Sequence, residues 1–155
     1  MNIVDSNVAR TLALEDLVVG QVFRSGRHQL DERQIIEFAS QFDPQPFHLD
    51  NESAKNTLFE GLAASGWHTA AITMRLLVQS APILGGLIGA GAEINWPRPT
   101  RPTDELYVET EVKEIKHLRS RPDRGIAIVC STTRNQHGEV LQTLTSKLVV
   151  PKRTT

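Results

Sequence analysis

The 155-residue chain has little of several things. It holds a single cysteine, Cys130. One cysteine cannot close an internal disulfide, and this usage points to a cytoplasmic protein. No charge of one sign dominates either. Lys plus Arg number 17 and Asp plus Glu 18, a formal net charge of −1, so the chain carries no electrostatic footprint for nucleic acid. A long apolar run is missing too. The richest stretch, Ala81 to Ile94, is broken by Pro82, several glycines and Glu93 and is too short to span a bilayer. Met1 to Ser6 shows no basic segment followed by an apolar one, so no secretory signal is expected. No G-x-G-x-x-G follows a strand pattern and no G-x-S-x-G occurs, which leaves no dinucleotide or nucleophile-elbow fingerprint. His28, His68, His117, His137 and Cys130 are scattered without metal-ligand spacing. His68 reads as a packed core histidine.

What is present suggests one domain over residues 1–155. A domain of this size buries roughly 70% of the surface its unfolded chain exposes, enough for a core without staples. Leu14 to Leu17 reads as a short turn and Gln21 to Leu30 as a weak strand. Asp31, with Gln34 three residues on, is a capping-box start for a helix whose apolar face is Ile35, Ile36, Phe38 and Ala39. A short helix over Asn51 to Asn56, capped by Asp50, and a small-residue loop from Phe59 to Gly66 follow. Gly66 to Gln79 reads as a long helix. Trp67, Ala70, Ala71, Met74, Leu77 and Val78 recur on it at helical spacing, which predicts a broad buried face.

The period then changes. Leu87 to Trp96, Glu105 to Leu118, Gly125 to Thr133 and Glu139 to Val150 read as strands, with an irregularity after Val112 and a hairpin turn at Gln136 to Glu139. Helices first and consecutive strands after predict an α+β protein, a mainly antiparallel sheet curved around the one long helix.

The most informative segment lies between the first two helices: Phe42-Asp43-Pro44-Gln45-Pro46-Phe47-His48-Leu49-Asp50. Two prolines predict a stiff connector that cannot continue a helix. It presents Asp43 and His48 together, a carboxylate and an imidazole able to hold one water between them. Taken singly, Asp43 is also an ordinary turn former and His48 an ordinary loop histidine.

Asp43-Pro44-Gln45-Pro46-Phe47-His48-Leu49-Asp50 resembles the D-x-N-P-x-H-x-D pattern of MaoC-like dehydratases and (R)-specific enoyl-CoA hydratases. Phe38-Ala39-Ser40, Phe59 to Gly66 and Trp96 to Asp104 resemble further blocks of that family in the same order. Gln45 replaces the family's Asn, Thr103 its Gly, and Ser65 a frequent His. The resemblance implies a hot-dog fold, a homodimer, an acyl-CoA thioester as substrate and no cofactor beyond it. It implies that Asp43 and His48 hold the water and share the proton transfers. The backbone N–H of Gly66 is the expected donor to the thioester oxygen, at a helix start where free N–H groups favour negative charge. Ser65, Trp67, Arg98 and Arg101 are weaker candidates for substrate contacts, Ser65 also reading as an N-cap. Phe47, Leu62 and Met74 join Trp67 as candidate pocket walls.

A hot-dog thioesterase and a non-catalytic acyl-thioester-binding subunit are the alternatives. The thioesterase usually carries its acid on the long helix, and Trp67 to Gln79 contains no Asp or Glu.

Overall fold

Asp31 starts the first helix because its side chain accepts the N–H of Gln34 at 2.8 Å. The reciprocal half of the expected capping box does not form, since the Gln34 amide turns to His28 and to the Gln29 carbonyl. The computed structural model describes residues 10–153; the reading of Met1 to Ser6 lies outside them. A 3-10 turn, Leu14–Asp16, opens the described chain, followed by β1 (Val22–Gln29), α1 (Glu32–Phe42), α2 (Pro46–Leu49), α3 (Asn51–Ala54) and α4 (Gly66–Ser80). Four strands complete it: β2 (Ile88–Asn95), β3 (Glu105–His117), β4 (Arg124–Arg134) and β5 (Val140–Pro151).

The sheet is antiparallel throughout, in the order β1-β3-β4-β5-β2. The register of β3 against β4 shifts between Val112 and Glu114. This is the irregularity expected after Val112, an extra residue that bends the strand. Gly138 turns the β4–β5 hairpin at φ 76°, a conformation glycine adopts without a Cβ penalty. The α4 helix packs across β1, β3, β4 and β5. This is the α+β hot-dog fold, a curved antiparallel sheet around one long helix. Leu30, Ile35, Ile72, Leu76, Leu106, Val108 and Leu141 form one core cluster. Leu14, Leu17, Ile83, Val112, Val129 and Val150 form a second beneath the N-terminal turn. Among the described residues no helix is long and apolar enough to cross a membrane.

One expectation fails, for a tertiary reason. The buried face of α4 is not the Trp67–Met74–Val78 stripe. Trp67, Met74 and Val78 are 59%, 43% and 54% exposed, whereas His68, Thr69, Ile72, Thr73, Leu76 and Leu77 are buried. Threonines can go inward because the sheet side supplies their partners. Thr69 donates to Thr100 at 3.0 Å, Thr73 pairs with Thr133 at 2.6 Å, and the Gln142 amide donates to Thr73 at 3.0 Å. A buried polar network is tolerated when its members are satisfied in this way.

The connector after α1 is also not purely extended. Pro46 stands at the first helical position of α2, where its missing N–H is no loss and its fixed φ favours the helix. The first helix does stop before the prolines, at Phe42, as expected; the one-turn helix that Pro46 opens was not anticipated.

Candidate active site

Asp43 ends α1. Its backbone N–H still bonds the Ala39 carbonyl at 2.9 Å, but the residue itself leaves the helical region at φ −155°, ψ 66°, since the proline that follows disfavours the α conformation. One turn later α2 carries His48, whose backbone N–H closes on the Gln45 carbonyl at 2.9 Å. The chain doubles back, and His48 Nε2 comes to 3.3 Å from Asp43 Oδ2. His48 is 4% exposed.

The hydrogen bonds around the pair define its state. His48 Nδ1 lies 2.6 Å from the Ala63 carbonyl oxygen. A carbonyl only accepts, so Nδ1 carries the hydrogen, and in the neutral ring Nε2 presents its lone pair toward Asp43. Ser65 Oγ donates to Asp43 Oδ2 at 2.7 Å, and the Gln45 amide donates to Oδ1. Burial is the largest single influence on the Asp43 carboxyl and pushes its pKa up. The donors Ser65 and Gln45, with the charge that His48 carries when protonated, outweigh it and hold the group below the usual aspartate value. The site therefore offers a carboxylate oxygen and an imidazole lone pair, two acceptors side by side. One water can donate a hydrogen to each, leaving its oxygen lone pairs directed outward.

A cavity of about 500 Å³ opens at the pair, within the range of small-molecule sites (about 300–1,000 Å³). Asp43, His48 and Gly66 line it with Leu58, Phe59, Trp67, Trp96, Pro97, Arg98 and Pro99. Gly66 is the first residue of α4, and its N–H has no hydrogen-bond partner among the described residues. A Cβ on Gly66 would lie 2.6–2.9 Å from ring atoms of Trp96. Trp96 is held in turn by Nε1 donating to the buried Gln142 at 2.9 Å, and its ring meets Trp67 edge-on at a centroid distance of 5.2 Å.

The structure thus gathers Asp43, His48, Gly66, Trp67 and Arg98 around one cavity and leaves two candidates outside its lining. Ser65 is fully buried. It reaches Asp43 and caps α4 by accepting the Trp67 N–H at 3.2 Å, so it acts on the carboxylate rather than on a ligand. Arg101 turns away, its guanidinium taken by the carbonyls of Phe59, Gly61 and Leu62. Arg98 pairs with Glu139 at 2.6 Å. Of the remaining candidate walls, Phe47 and Leu62 do not line the cavity, Leu62 belonging to the core cluster, and Met74 borders a separate apolar groove with Leu77 and Leu144. Sequence reasoning did not find Ala63, whose contribution is a backbone oxygen, nor the link from Ser65 to Asp43. Among the described residues no three metal-ligating side chains converge.

His68 lies elsewhere, buried on α4 with its ring stacked on Phe38 at 4.5 Å. Its Nδ1 has no partner among the described residues. Burial, with the nearby His28, pushes its pKa down to about 4 from 6.5. The folded state thus disfavours the protonated ring, and stability present above pH 6.5 is lost as pH falls toward 4. His68→Leu is expected to flatten the fall of Tm between pH 6.5 and 4, measured by calorimetry. An unchanged slope would show that His68 is not its source.

Comparison with known proteins agrees with this geometry. Residues 16–134 match the family model described as MaoC like domain, and the chain belongs to that family of dehydratases. It is 35% identical over 128 residues to the Bacillus subtilis (strain 168) protein YdeM, an alignment covering 81% of this chain and 89% of the relative. The crystal structure of the MaoC-like dehydratase from Rhodospirillum rubrum is similar at 59% identity and a TM-score of 0.91, covering 93% of this chain and 99% of that one. The (R)-hydratase PhaJ1 from Pseudomonas aeruginosa in its unliganded form is 26% identical with a TM-score of 0.75, covering 92% of this chain and 88% of the other.

Proposed function

We propose that the protein adds water to an enoyl-CoA thioester, or removes it from the 3-hydroxyacyl-CoA, in the cytoplasm and without a cofactor beyond the CoA of the substrate. The observation that carries this reading is the 3.3 Å approach of Asp43 Oδ2 and His48 Nε2 in a cavity that Gly66 also lines. In hydration the held water gives one proton to the Asp43–His48 pair, and its oxygen bonds to Cβ. The C=C electrons move toward the thioester, whose oxygen becomes enolate-like. An N–H at the start of a 15-residue helix is suited to that charge. The pair then returns the proton to Cα. Because one group of atoms delivers both hydroxyl and proton from one side, the addition is syn. Dehydration is the same path reversed, and no electrons are exchanged with a redox partner.

A homodimer is part of the proposal. The outer edge of β2 is unpaired within the sheet, and Trp67, Met74, Val78 and Ile88 are exposed. Such an apolar surface beside an open strand edge favours a partner. Light scattering should give twice the 17.2 kDa chain mass.

The test is loss of enoyl-thioester absorbance with crotonyl-CoA and a panel of longer and branched enoyl-CoAs. Turnover without release of free CoA supports the hydratase. Release of free CoA instead would replace it with a thioesterase, and binding without either reaction would leave an acyl-thioester-binding subunit.

A further inference from the structure

The segment from Phe59 to Ser65 touches both members of the acid–base pair. Its Ala63 carbonyl receives the His48 Nδ1 hydrogen and its Ser65 hydroxyl donates to Asp43, while Phe59 forms a wall of the cavity. The second half of this strap is anchored, with Leu62 and Ala64 in the core cluster and the Ala63 N–H donating to the Phe47 carbonyl at 3.1 Å, whereas its first half, Phe59 to Gly61, contributes nothing to that cluster. It also contains Glu60, the only non-glycine residue with positive φ (56°) among the described residues, a conformation that persists only when its surroundings impose it.

Arg101 imposes it. The guanidinium donates from Nη1 to the carbonyls of Gly61 at 3.0 Å and Leu62 at 3.2 Å, and from Nη2 to that of Phe59. Three converging backbone oxygens match the planar donor fork of arginine and not the compact ammonium of lysine. Arg101 is itself anchored, its backbone N–H donating to Asp104 Oδ2 at 2.8 Å. The adjacent Thr100 carbonyl accepts the Ala64 N–H at 2.9 Å.

We propose that Arg101 is a positioning residue that sets the tautomer of His48 by holding the strap carrying the Ala63 carbonyl. It touches neither His48 nor the cavity and acts through backbone. The inference rests on the hydratase reading for its effect on rate, but not for its effect on His48.

The experiment compares wild type, Arg101→Lys and Arg101→Ala by long-range imidazole nitrogen–proton NMR and by kinetics. Wild type should show His48 protonated at Nδ1. Arg101→Ala should show a mixture of tautomers, with kcat down about 10²-fold, the scale of a misplaced catalytic group, KM nearly unchanged and the pH profile shifted. Arg101→Lys should recover little. Millimolar guanidinium should restore part of the lost rate in Arg101→Ala and none in wild type. If Arg101→Ala does not fold, Arg101→Lys carries the NMR comparison. A His48 spectrum identical to wild type in a folded variant overturns the proposal, whatever happens to the rate. Absence of turnover in wild type with a Nδ1-protonated His48 that Arg101→Ala disturbs would instead overturn the hydratase reading alone.

Discussion

Asp43→Asn is expected to lower kcat/KM on the preferred enoyl thioester by about 10²–10⁴-fold, the contribution of a positioned acid–base group, while the protein stays folded. Asparagine keeps the size of the side chain and an oxygen for the Ser65 hydroxyl, which now donates to Oδ2 at 2.7 Å. It cannot take a proton from water. The same change alters stability against pH in a defined direction. The Asp43 pKa is depressed in the folded protein, so its contribution to stability is present above the unfolded aspartate value and lost as pH falls through the folded one. The Asp43→Asn variant should lack that part of the acid-side loss.

The matching change at the other member is His48→Asn. An asparagine amide can still donate to the Ala63 carbonyl, a bond now 2.6 Å long, and so avoids leaving a buried acceptor unpaired, which costs about 1–3 kcal/mol. It supplies no basic nitrogen, and the rate should fall as far as for Asp43→Asn. Rates within a few-fold of wild type in either folded variant would remove the pair from the chemistry. Steady-state kinetics beside circular dichroism decide this.

Gly66→Ala is expected to damage both stability and activity. The added methyl would sit 2.6 Å from Cε2 of Trp96, and that indole cannot simply swing aside because Nε1 is held by Gln142, a fully buried residue. Overpacking of this kind costs about 1–3 kcal/mol, at about 2–4 °C of Tm per kcal/mol for a chain of this length. The helix start must also shift, carrying the Gly66 N–H away from its place in the cavity. Losing one oxyanion donor lowers kcat by about 10²–10³-fold. A Gly66→Ala protein with wild-type Tm and wild-type kcat would refute both the tight packing and the proposed role of the N–H.

The part of the site legible in the sequence was the part held within a few residues. Asp43 and His48 are five positions apart, and the prolines between them shorten the connection. Their supports are remote. Ala63 and Ser65 reach the pair across 15 and 22 residues of chain, and the first of them acts through a carbonyl that every residue possesses. Nothing in the identity of Ala63 announces that role. Arg101 was singled out as a candidate substrate contact, yet backbone carbonyls 39, 40 and 42 positions away claim it. A guanidinium has no preference for ligand over main chain until the fold places one of them within reach.

Local physics also determined where the main elements lie. The cap at Asp31, the helical spacing from Gly66, the extra residue after Val112 and the turn at Gly138 each depend on neighbours a few positions away, so the chain alone specified them. The α+β class and the antiparallel sheet followed from their order. Tertiary structure decided which faces turn inward. On β4 Ala127, Val129, Ser131 and Thr133 are the buried set, whereas Ile126, Ile128, Cys130 and Thr132 are only half-buried. Small side chains face inward there because neighbours come close. A Cβ on Gly125 would lie 2.5 Å from Leu14. On α4 the threonines went in and Trp67, Met74 and Val78 stayed out, since Thr100, Thr133 and Gln142 satisfy the hydroxyls from across the core. Periodicity specifies that a face exists, and only the partner that packs against it decides which one is buried.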